Sequence, residues 1–434
     1  MQKIVIVGGG AGGLELASRL SRKLGSKNKA DITLVDRSRT HVWKPLLHEV
    51  AAGVIDKHSD GVDYAIHAAS HHYRFQLGEM CSIDAAAKTL TLSPLIDEEG
   101  HEVLPKRQVE YDQLVMAIGS VSNDFGTPGV AKHCYLLDSL AQAERFHRAL
   151  LNQLIRINQQ EVSNLDKNAH INVAIVGAGA TGTELAAQLH HVANLSKAYG
   201  MPDMSASRLK ITIIEAGERI LPALPTRIAN TAREALNDLG VVIKEQTTVA
   251  EADCDGLITK DGSRIDADLM VWAAGVKAPD FVTSMGLFET NKANQILVDE
   301  QLRSTTEKTI WVLGDCCGFQ QENGKWVPPR AQSAHQMADI VAHNITSLFT
   351  QKDTKDFTYK DYGSLVHLSK YSTVGSLMGS LSNSSMFIEG RLAKLVYVSL
   401  YNMHQFAVHG KIKGALKLLV KKLSQAISPK LKLH

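Results

Sequence analysis

Two glycine-rich turns, each fed by a run of branched apolar residues, constrain this chain more than any other feature. The first follows Ile4-Val5-Ile6-Val7 and reads Gly8-Gly9-Gly10-Ala11-Gly12-Gly13, which matches G-x-G-x-x-G at Gly8, Gly10 and Gly13. The second follows Ile171-Asn172-Val173-Ala174-Ile175-Val176 and matches at Gly177, Gly179 and Gly182. One such match is common by chance, but two in strand-turn-helix context point to two dinucleotide sites on one chain. The first glycine permits the tight turn, the second lets backbone approach a pyrophosphate, and the third lets helix and strand pack closely. The phosphates then rest on the N-terminus of the following helix.

Each turn also has its acid. Ile32-Thr33-Leu34-Val35-Asp36 and Ile211-Thr212-Ile213-Ile214-Glu215 read as second strands ending in a carboxylate. Such an acid accepts hydrogen bonds from ribose hydroxyls and repels a 2′-phosphate, so Glu215 favours NAD over NADP. Arg219, four residues on, works against that preference.

The pattern repeats further along. Tyr111 to Gly119 and Ala267 to Gly275 are each an apolar strand ending in small residues that let a loop pass close to a cofactor. Thr309 to Asp315 is a third strand delivering Gly314-Asp315; an acid there suits a ligand hydroxyl or a solvated turn. Prolines 328 and 329 precede Ala331 to Gln336 and announce a helix, with Gln332 and Gln336 one turn apart on one face. Alone, those two glutamines read equally as surface residues.

These spacings predict an α/β protein of two Rossmann-like domains with a C-terminal amphipathic helical region that anchors it to a membrane. The expected division is residues 1–120 and 286–345 for the first dinucleotide domain, 165–285 for the second, and 346–434 for membrane association. The polar stretch around 156–170 reads as the linker. A chain of 434 residues has room for these cores, and a net charge of +2 gives no reason to expect nucleic acid. Only Met1-Gln2-Lys3 precede the first strand, so no signal peptide is expected, and no apolar run of spanning length is visible.

From Arg391 onward there are nine Lys or Arg and no Asp or Glu. Within 411–427, Ile412, Ala415, Leu416, Leu419, Leu423, Ala426 and Ile427 share one helical face, and Lys413, Lys417, Lys421 and Ser424 the other. A cationic amphipathic helix of this kind suits an anionic membrane surface, lysines toward the headgroups. Docking on the chain's own domain or on a second subunit is the alternative.

The five cysteines form no C-x-x-C and no metal-type spacing, so no metal site is expected and a redox cysteine pair of the disulfide-reductase kind is missing. The vicinal pair Cys316-Cys317 reads as two small buried residues or as a soft-metal or reactive site.

Taken together, the two fingerprints, Gly314-Asp315, the A-Q-x-A-x-Q run and the basic tail resemble the type II NADH:quinone oxidoreductases, the non-proton-pumping NADH dehydrogenases, over essentially the whole chain, closest to the proteobacterial enzyme. The resemblance implies that Gly8, Gly10, Gly13 and Asp36 hold the ADP half of non-covalent FAD, with Gly314-Asp315 on the rest of it and Lys44 and Pro45 against the flavin. It implies NADH on Gly177, Gly179, Gly182 and Glu215, and Glu184 near nicotinamide and flavin. Gly119 and Gly275 would close on the two cofactors, and Ala331, Gln332 and Gln336 would meet flavin and quinone. The expected partners are NADH, ubiquinone or menaquinone, the lipid surface and a second subunit in a homodimer. The expected location is peripheral, on the cytoplasmic face of the inner membrane. Sulfide:quinone reductase needs a cysteine pair this chain lacks; a soluble NADH oxidase or ferredoxin reductase would lack the basic tail. A ligand-dependent signalling module would bind FAD but turn NADH over slowly.

Overall fold

The computed structural model describes residues 1–55, 61–162, 169–199, 201, 206–368, 372–378 and 385–427. Two parallel sheets carry the two glycine turns. The first runs Ile310–Val312, Gln113–Met116, Gln2–Val7, Ala30–Asp36, Arg74–Leu77, all neighbours parallel. The second runs Val242–Lys244, Leu209–Ile214, Ile171–Val176, Leu269–Trp272 in the same manner. In both, the strand entering the glycine turn lies between the acid-ending strand and the strand ending in small residues. The registers correspond as well: Val7 pairs with Val35 and Met116, and Val176 with Ile214 and Trp272. Strand order reverses at this point, and the crevice it opens at the carboxyl ends is where such sheets take ligands.

Both faces of each sheet are covered, which is why the strands are near-continuous apolar runs rather than alternating ones. Ile4, Val5 and Ile6 are buried, as are Ile171, Val173 and Ile175. The helix Ala11–Lys23 that leaves the first turn packs along Ala331–Thr350, the helix opened by the A-Q run. Residues from the two ends of the sequence therefore complete one domain. The pairing of Val121–Ser122 with Val276–Lys277 ties the two halves together.

Two boundaries differ from the sequence expectation. Residues 156–162 are the last turns of a helix, Leu140–Val162, because Leu154 and Ile157 continue its buried face while the polar residues lie on the other; 163–168 fall outside the described residues. Likewise, most of 346–427 is integral to the fold. Ala331–Thr350 runs through the expected boundary at 345. Strands Gly363–Leu368, Ser372–Met378 and Ser385–Glu389 form an antiparallel sheet on helices Ala180–Ser196 and Thr226–Asp238. Alternating Val366, Leu368 and Val374 enter the core of the second domain. Helix Gly390–His409 returns to lie against Ala11–Lys23, with Val408 in the core of the first domain.

The last described helix, Lys411–Ile427, carries an uncovered apolar face. Ile412, Leu416, Leu419, Val420 and Leu423 are each more than half exposed. Two of its lysines turn to the protein: Lys417 Nζ lies 3.2 Å from His409 Nε2, and Lys421 sits 4.3 Å over the Tyr401 ring, while Lys413 is exposed. Among the described residues no helix is long and apolar enough to cross a membrane.

Candidate active site

The two glycine turns are built alike. Gly8 and Gly177 adopt φ of +102° and +101°, a left-handed region that disfavours side chains. A Cβ on Gly13 would stand 1.9 Å from the Gly8 carbonyl oxygen, and one on Gly182 would stand 2.0 Å from that of Gly177. The middle glycines differ. Gly10 and Gly179 have φ of −60° and −71°, which any residue adopts, and a Cβ on either would meet nothing within 4 Å. The outer glycines are thus required by packing, whereas the middle ones border open space at a helix N-terminus, where a pyrophosphate fits.

Each acid braces its own turn. Gly9 N–H and Ser38 N–H donate to Asp36 at 2.6 and 2.7 Å; Ala178 N–H and Gly217 N–H donate to Glu215 at 2.9 and 2.8 Å. Burial pushes the Asp36 carboxyl up, opposed by those two amide donors. Arg219 gives its guanidinium to the carbonyls of Leu221, Pro222 and Leu224, so it is committed to its own loop and does not counter Glu215.

Beyond the first turn, Lys44 and Asp315 are joined by a residue absent from the sequence reading. Ser120 Oγ donates to Asp315 Oδ2 at 2.8 Å, and Lys44 Nζ donates to the Ser120 carbonyl at 2.9 Å. Gln295 Nε2 fixes the Asp315 carbonyl at 2.9 Å. Ser120, Gln295 and Asp315 line a cavity of about 670 Å³ walled by Val327, Pro328 and Pro329. Ser120 follows Gly119, whose φ is +72°, so its neighbour was the available signal; nothing in the sequence marks Gln295. Gly314 is also left-handed, at φ +77°. Gly275, at φ +66°, lies where a Cβ would meet the Phe125 ring at 2.6 Å. Pro45 sits in the 3-10 turn Lys44–Leu46, and the neighbouring Trp43 packs with Leu46 and Tyr401 against Ala11 and Ala331.

Glu184 is buried at 6 % exposure. Its Oε1 accepts the His367 N–H at 2.8 Å, and its Oε2 lies 3.6 Å from His48 Nδ1. Burial pushes the carboxyl up to about 8, with Glu49 adding to the effect, while burial and His367 push the His48 imidazole down to about 3. Both side chains are neutral at pH 7, and Glu184 holds a proton. The Tyr397 hydroxyl is buried with no hydrogen-bond partner among the described residues, and burial, then Glu184 and Glu49, drives its ionisation far up.

The two glutamines are tied to the segment at 359–362. Gln332 Oε1 accepts from Tyr359 OH at 2.9 Å, which leaves its Nε2 without a protein partner among the described residues. Gln336 uses both ends of its amide on the Lys360 peptide, donating to the carbonyl at 2.8 Å and accepting from the N–H at 3.0 Å. The expectation that both glutamines face a ligand is therefore corrected for Gln336: in this geometry its amide braces the segment.

Sequence reading also missed a buried ionic chain. Glu15, 2 % exposed, accepts from His335 Nδ1 at 2.6 Å and His404 Nδ1 at 2.8 Å, and His404 Nε2 meets His41 Nε2 at 3.0 Å. Burial would raise the Glu15 carboxyl, but these two histidines outweigh it and hold the group at about 2. The chain pins the helix Gly390–His409 to the helix Ala11–Lys23.

Comparison with known proteins agrees with this geometry. The family model described as "Pyridine nucleotide-disulphide oxidoreductase" matches residues 2–338. A type II NADH:quinone oxidoreductase of Haemophilus influenzae is 44 % identical over 445 residues, covering 100 % of both chains. The chain belongs to the type II NADH:quinone oxidoreductases. Among solved structures, NDH2 of Plasmodium falciparum in complex with NADH superposes with a TM-score of 0.82 at 20 % identity, covering 99 % of this chain and 100 % of that one. The sulfide:quinone oxidoreductase of Aquifex aeolicus gives 0.73 at 18 %, covering 100 % and 96 %, so that fold is shared.

As a type II NADH:quinone oxidoreductase the protein uses FAD and NADH, and its two open cradles fit two dinucleotides. Its cysteines set it apart from the disulfide chemistry in the broader family's description. All five are free, and burial pushes the Cys316 thiol up to about 12 and Cys317 well above its ordinary value. Neither presents a thiolate near neutral pH.

Proposed function

We propose that the two cradles divide their cofactors as follows. The turn at Gly8, Gly10 and Gly13, with Asp36, holds the ADP half of FAD, and Gly119, Gly314, Asp315, Lys44 and Pro45 follow the cofactor to its ring. Gly177, Gly179, Gly182 and Glu215 hold NADH, with Gly275 closing over it. FAD, when bound, supplies the two-electron chemistry that links NADH to quinone.

The residues orient, exclude water and manage protons. Ser120 and Gln295 fix Asp315 so that its carboxylate can accept from a cofactor hydroxyl, and Lys44, held by Ser120, adds a cation beside it. Glu184 keeps its proton at neutral pH and can donate a hydrogen bond where NADH and flavin meet. Gln332 offers Nε2 to a quinone carbonyl, stabilising charge that develops there, while Gln336 holds the segment at 359–362 in place.

The observation that carries this reading is the pair of glycine turns whose middle positions alone face open space. The exposed apolar stripe of Lys411–Ile427 adds the remaining part: ubiquinone or menaquinone is dissolved in lipid, and a monotopic arm brings the pocket to it without a spanning helix. The reading is a peripheral enzyme on the cytoplasmic face of the inner membrane, a homodimer as the resemblance implies, passing electrons without pumping protons.

The test compares the full chain with one ending at 410, each assayed with a water-soluble short-chain quinone and with a long-chain quinone in vesicles. The expected result is comparable NADH oxidation with the soluble quinone and loss of the vesicle reaction in the shorter chain. An undiminished vesicle reaction would remove the role given to the arm.

A further inference from the structure

Gln332 can serve a quinone carbonyl only if its amide points the right way round. An amide presents an oxygen at one end and two N–H donors at the other, and a carbonyl ligand needs the donor end. The side chain alone does not choose, since the torsion that exchanges the two ends is soft. Its neighbours do. Tyr359 OH donates to Gln332 Oε1 at 2.9 Å, and the Tyr362 N–H reaches the same oxygen at 3.4 Å. A backbone N–H cannot accept, so in the opposite orientation it would face Nε2 donor against donor. The phenol resists that orientation as well. Arg330, which can only donate, acts on the phenol oxygen, and turning Nε2 inward would strip the phenol proton of its acceptor. Burial, then Asp361, raises the Tyr359 phenol against the opposing Ser333 and Arg330, so it stays a protonated donor at neutral pH.

Tyr359 is itself held from both sides. Upstream, Phe357 is buried, meets the Phe319 ring edge-on at 5.1 Å and donates its N–H to the Glu300 carbonyl at 2.7 Å. Downstream, Gln336 grips the Lys360 N–H and carbonyl at 3.0 and 2.8 Å, and Arg330 donates to Ser364 Oγ at 2.7 Å. The phenol therefore reaches Gln332 from a braced segment, which sets the amide before any ligand arrives. Gln336, whose amide is spent on Lys360, gains a part in the site by this route.

We propose that Tyr359 is a positioning residue for quinone reduction: its hydroxyl fixes the Gln332 amide with Nε2 outward, as the donor that a quinone carbonyl requires. The inference rests on the role given to Gln332 above. Tyr359 acts through Gln332 and touches no reacting atom itself. Without the hydroxyl, the longer Tyr362 contact is the restraint left on Oε1 among the described residues. The loss is that of one neutral hydrogen bond, roughly 3- to 10-fold in the quinone step. It falls on the maximal rate rather than on the half-saturating quinone concentration, because the donor acts on charge that develops as the quinone accepts electrons.

The test follows two half-reactions by stopped flow in the FAD-loaded full chain: flavin reduction by NADH, and flavin reoxidation by a short-chain ubiquinone. Wild type is compared with Y359F, Q332A and Y359F/Q332A; phenylalanine keeps the ring that packs on the first core. Y359F should lower the maximal reoxidation rate roughly 3- to 10-fold at an unchanged half-saturating quinone concentration, with flavin reduction within about two-fold of wild type. In the Q332A background, Y359F should change reoxidation by less than about two-fold, since the amide it orients is gone. A Y359F enzyme that reoxidises like wild type beside a slow Q332A, or a Y359F loss repeated in full in Q332A, overturns the positioning role and leaves the reading of Gln332 standing. Equal slowing of both half-reactions in Y359F also overturns it, making the phenol a packing residue. Reoxidation at the wild-type rate in Q332A removes the role of Gln332 and this inference with it.

Discussion

Gly179→Ala isolates what the middle glycine of the second turn does. Gly179 has φ −71°, and a Cβ placed there meets no atom within 4 Å, so the substitution adds neither strain nor overlap to the protein itself. The stability change expected is a few tenths of a kcal/mol, set by unfolded-state entropy. The added methyl instead fills space at the N-terminus of Ala180–Ser196, where on the proposed assignment the NADH pyrophosphate would accept from backbone N–H groups. Displacing the phosphates weakens one or two charge-assisted hydrogen bonds, about 1.5–3 kcal/mol, or roughly 10- to 100-fold in NADH affinity. Stopped-flow flavin reduction against NADH concentration reads this directly. The half-saturating NADH concentration should rise by that factor while FAD content and Tm stay at wild-type values. An unchanged NADH dependence, or loss of FAD with wild-type NADH binding, would refute the assignment of this turn. Gly182→Ala is the control of opposite character: its Cβ would stand 2.0 Å from the Gly177 carbonyl, so the second domain should lose stability outright.

Three further outcomes follow from the side chains. Glu15→Gln removes a carboxylate held at about 2 against an ordinary 4.5, worth about 3 kcal/mol at neutral pH. Because that pKa is depressed on folding, the contribution is present above about pH 4.5 and lost as pH falls toward about 2; urea melts of wild type and variant should converge in acid and differ at pH 7. Glu184 is raised to about 8, so the protonated form prevails below that value, and the rate of flavin reduction should fall as pH rises past it. In Glu184→Gln that alkaline limb should flatten, and a variant profile identical to wild type would contradict the role given to this proton. Gln332→Ala should slow quinone reduction by 10- to 100-fold, about the loss of one oxyanion-type donor, and leave flavin reduction by NADH within about two-fold; equal loss of both steps, measured by stopped flow, would make it structural.

Local backbone demands were legible in the sequence; demands that arise between distant segments were not. The turns at Gly8 and Gly177, their acids and the strands around them follow from residue types that no other conformation requires, and the structure places them as expected. Glu184, Gln332 and Asp315 are proposed through a family pattern, and their surroundings explain why spacing alone was insufficient to single them out. Glu184 gains its proton from burial beneath a sheet formed some 180 residues later in the chain, a distance fixed by its bond to His367. Gln336 looked equivalent to Gln332 by helical spacing, yet Lys360 takes both ends of its amide. Ser120, Gln295 and the Glu15 chain carry no motif, since each acquires its partner only when the C-terminal elements close on the first sheet. The linker and the region from 346 were misjudged for a related reason: polar composition masked the buried face of Leu140–Val162, and basic composition masked the apolar alternation of the strands at 363–378.

The most direct test of the account is a sequential anaerobic titration of the purified, FAD-loaded protein followed at the flavin absorbance. NADH should bleach the flavin in one step of the expected stoichiometry, NADPH should do so poorly, and a short-chain ubiquinone added next should restore the oxidised spectrum. Flavin that stays oxidised with NADH, or stays reduced when quinone arrives, would contradict the central claim that one chain brings both reactions to a single flavin.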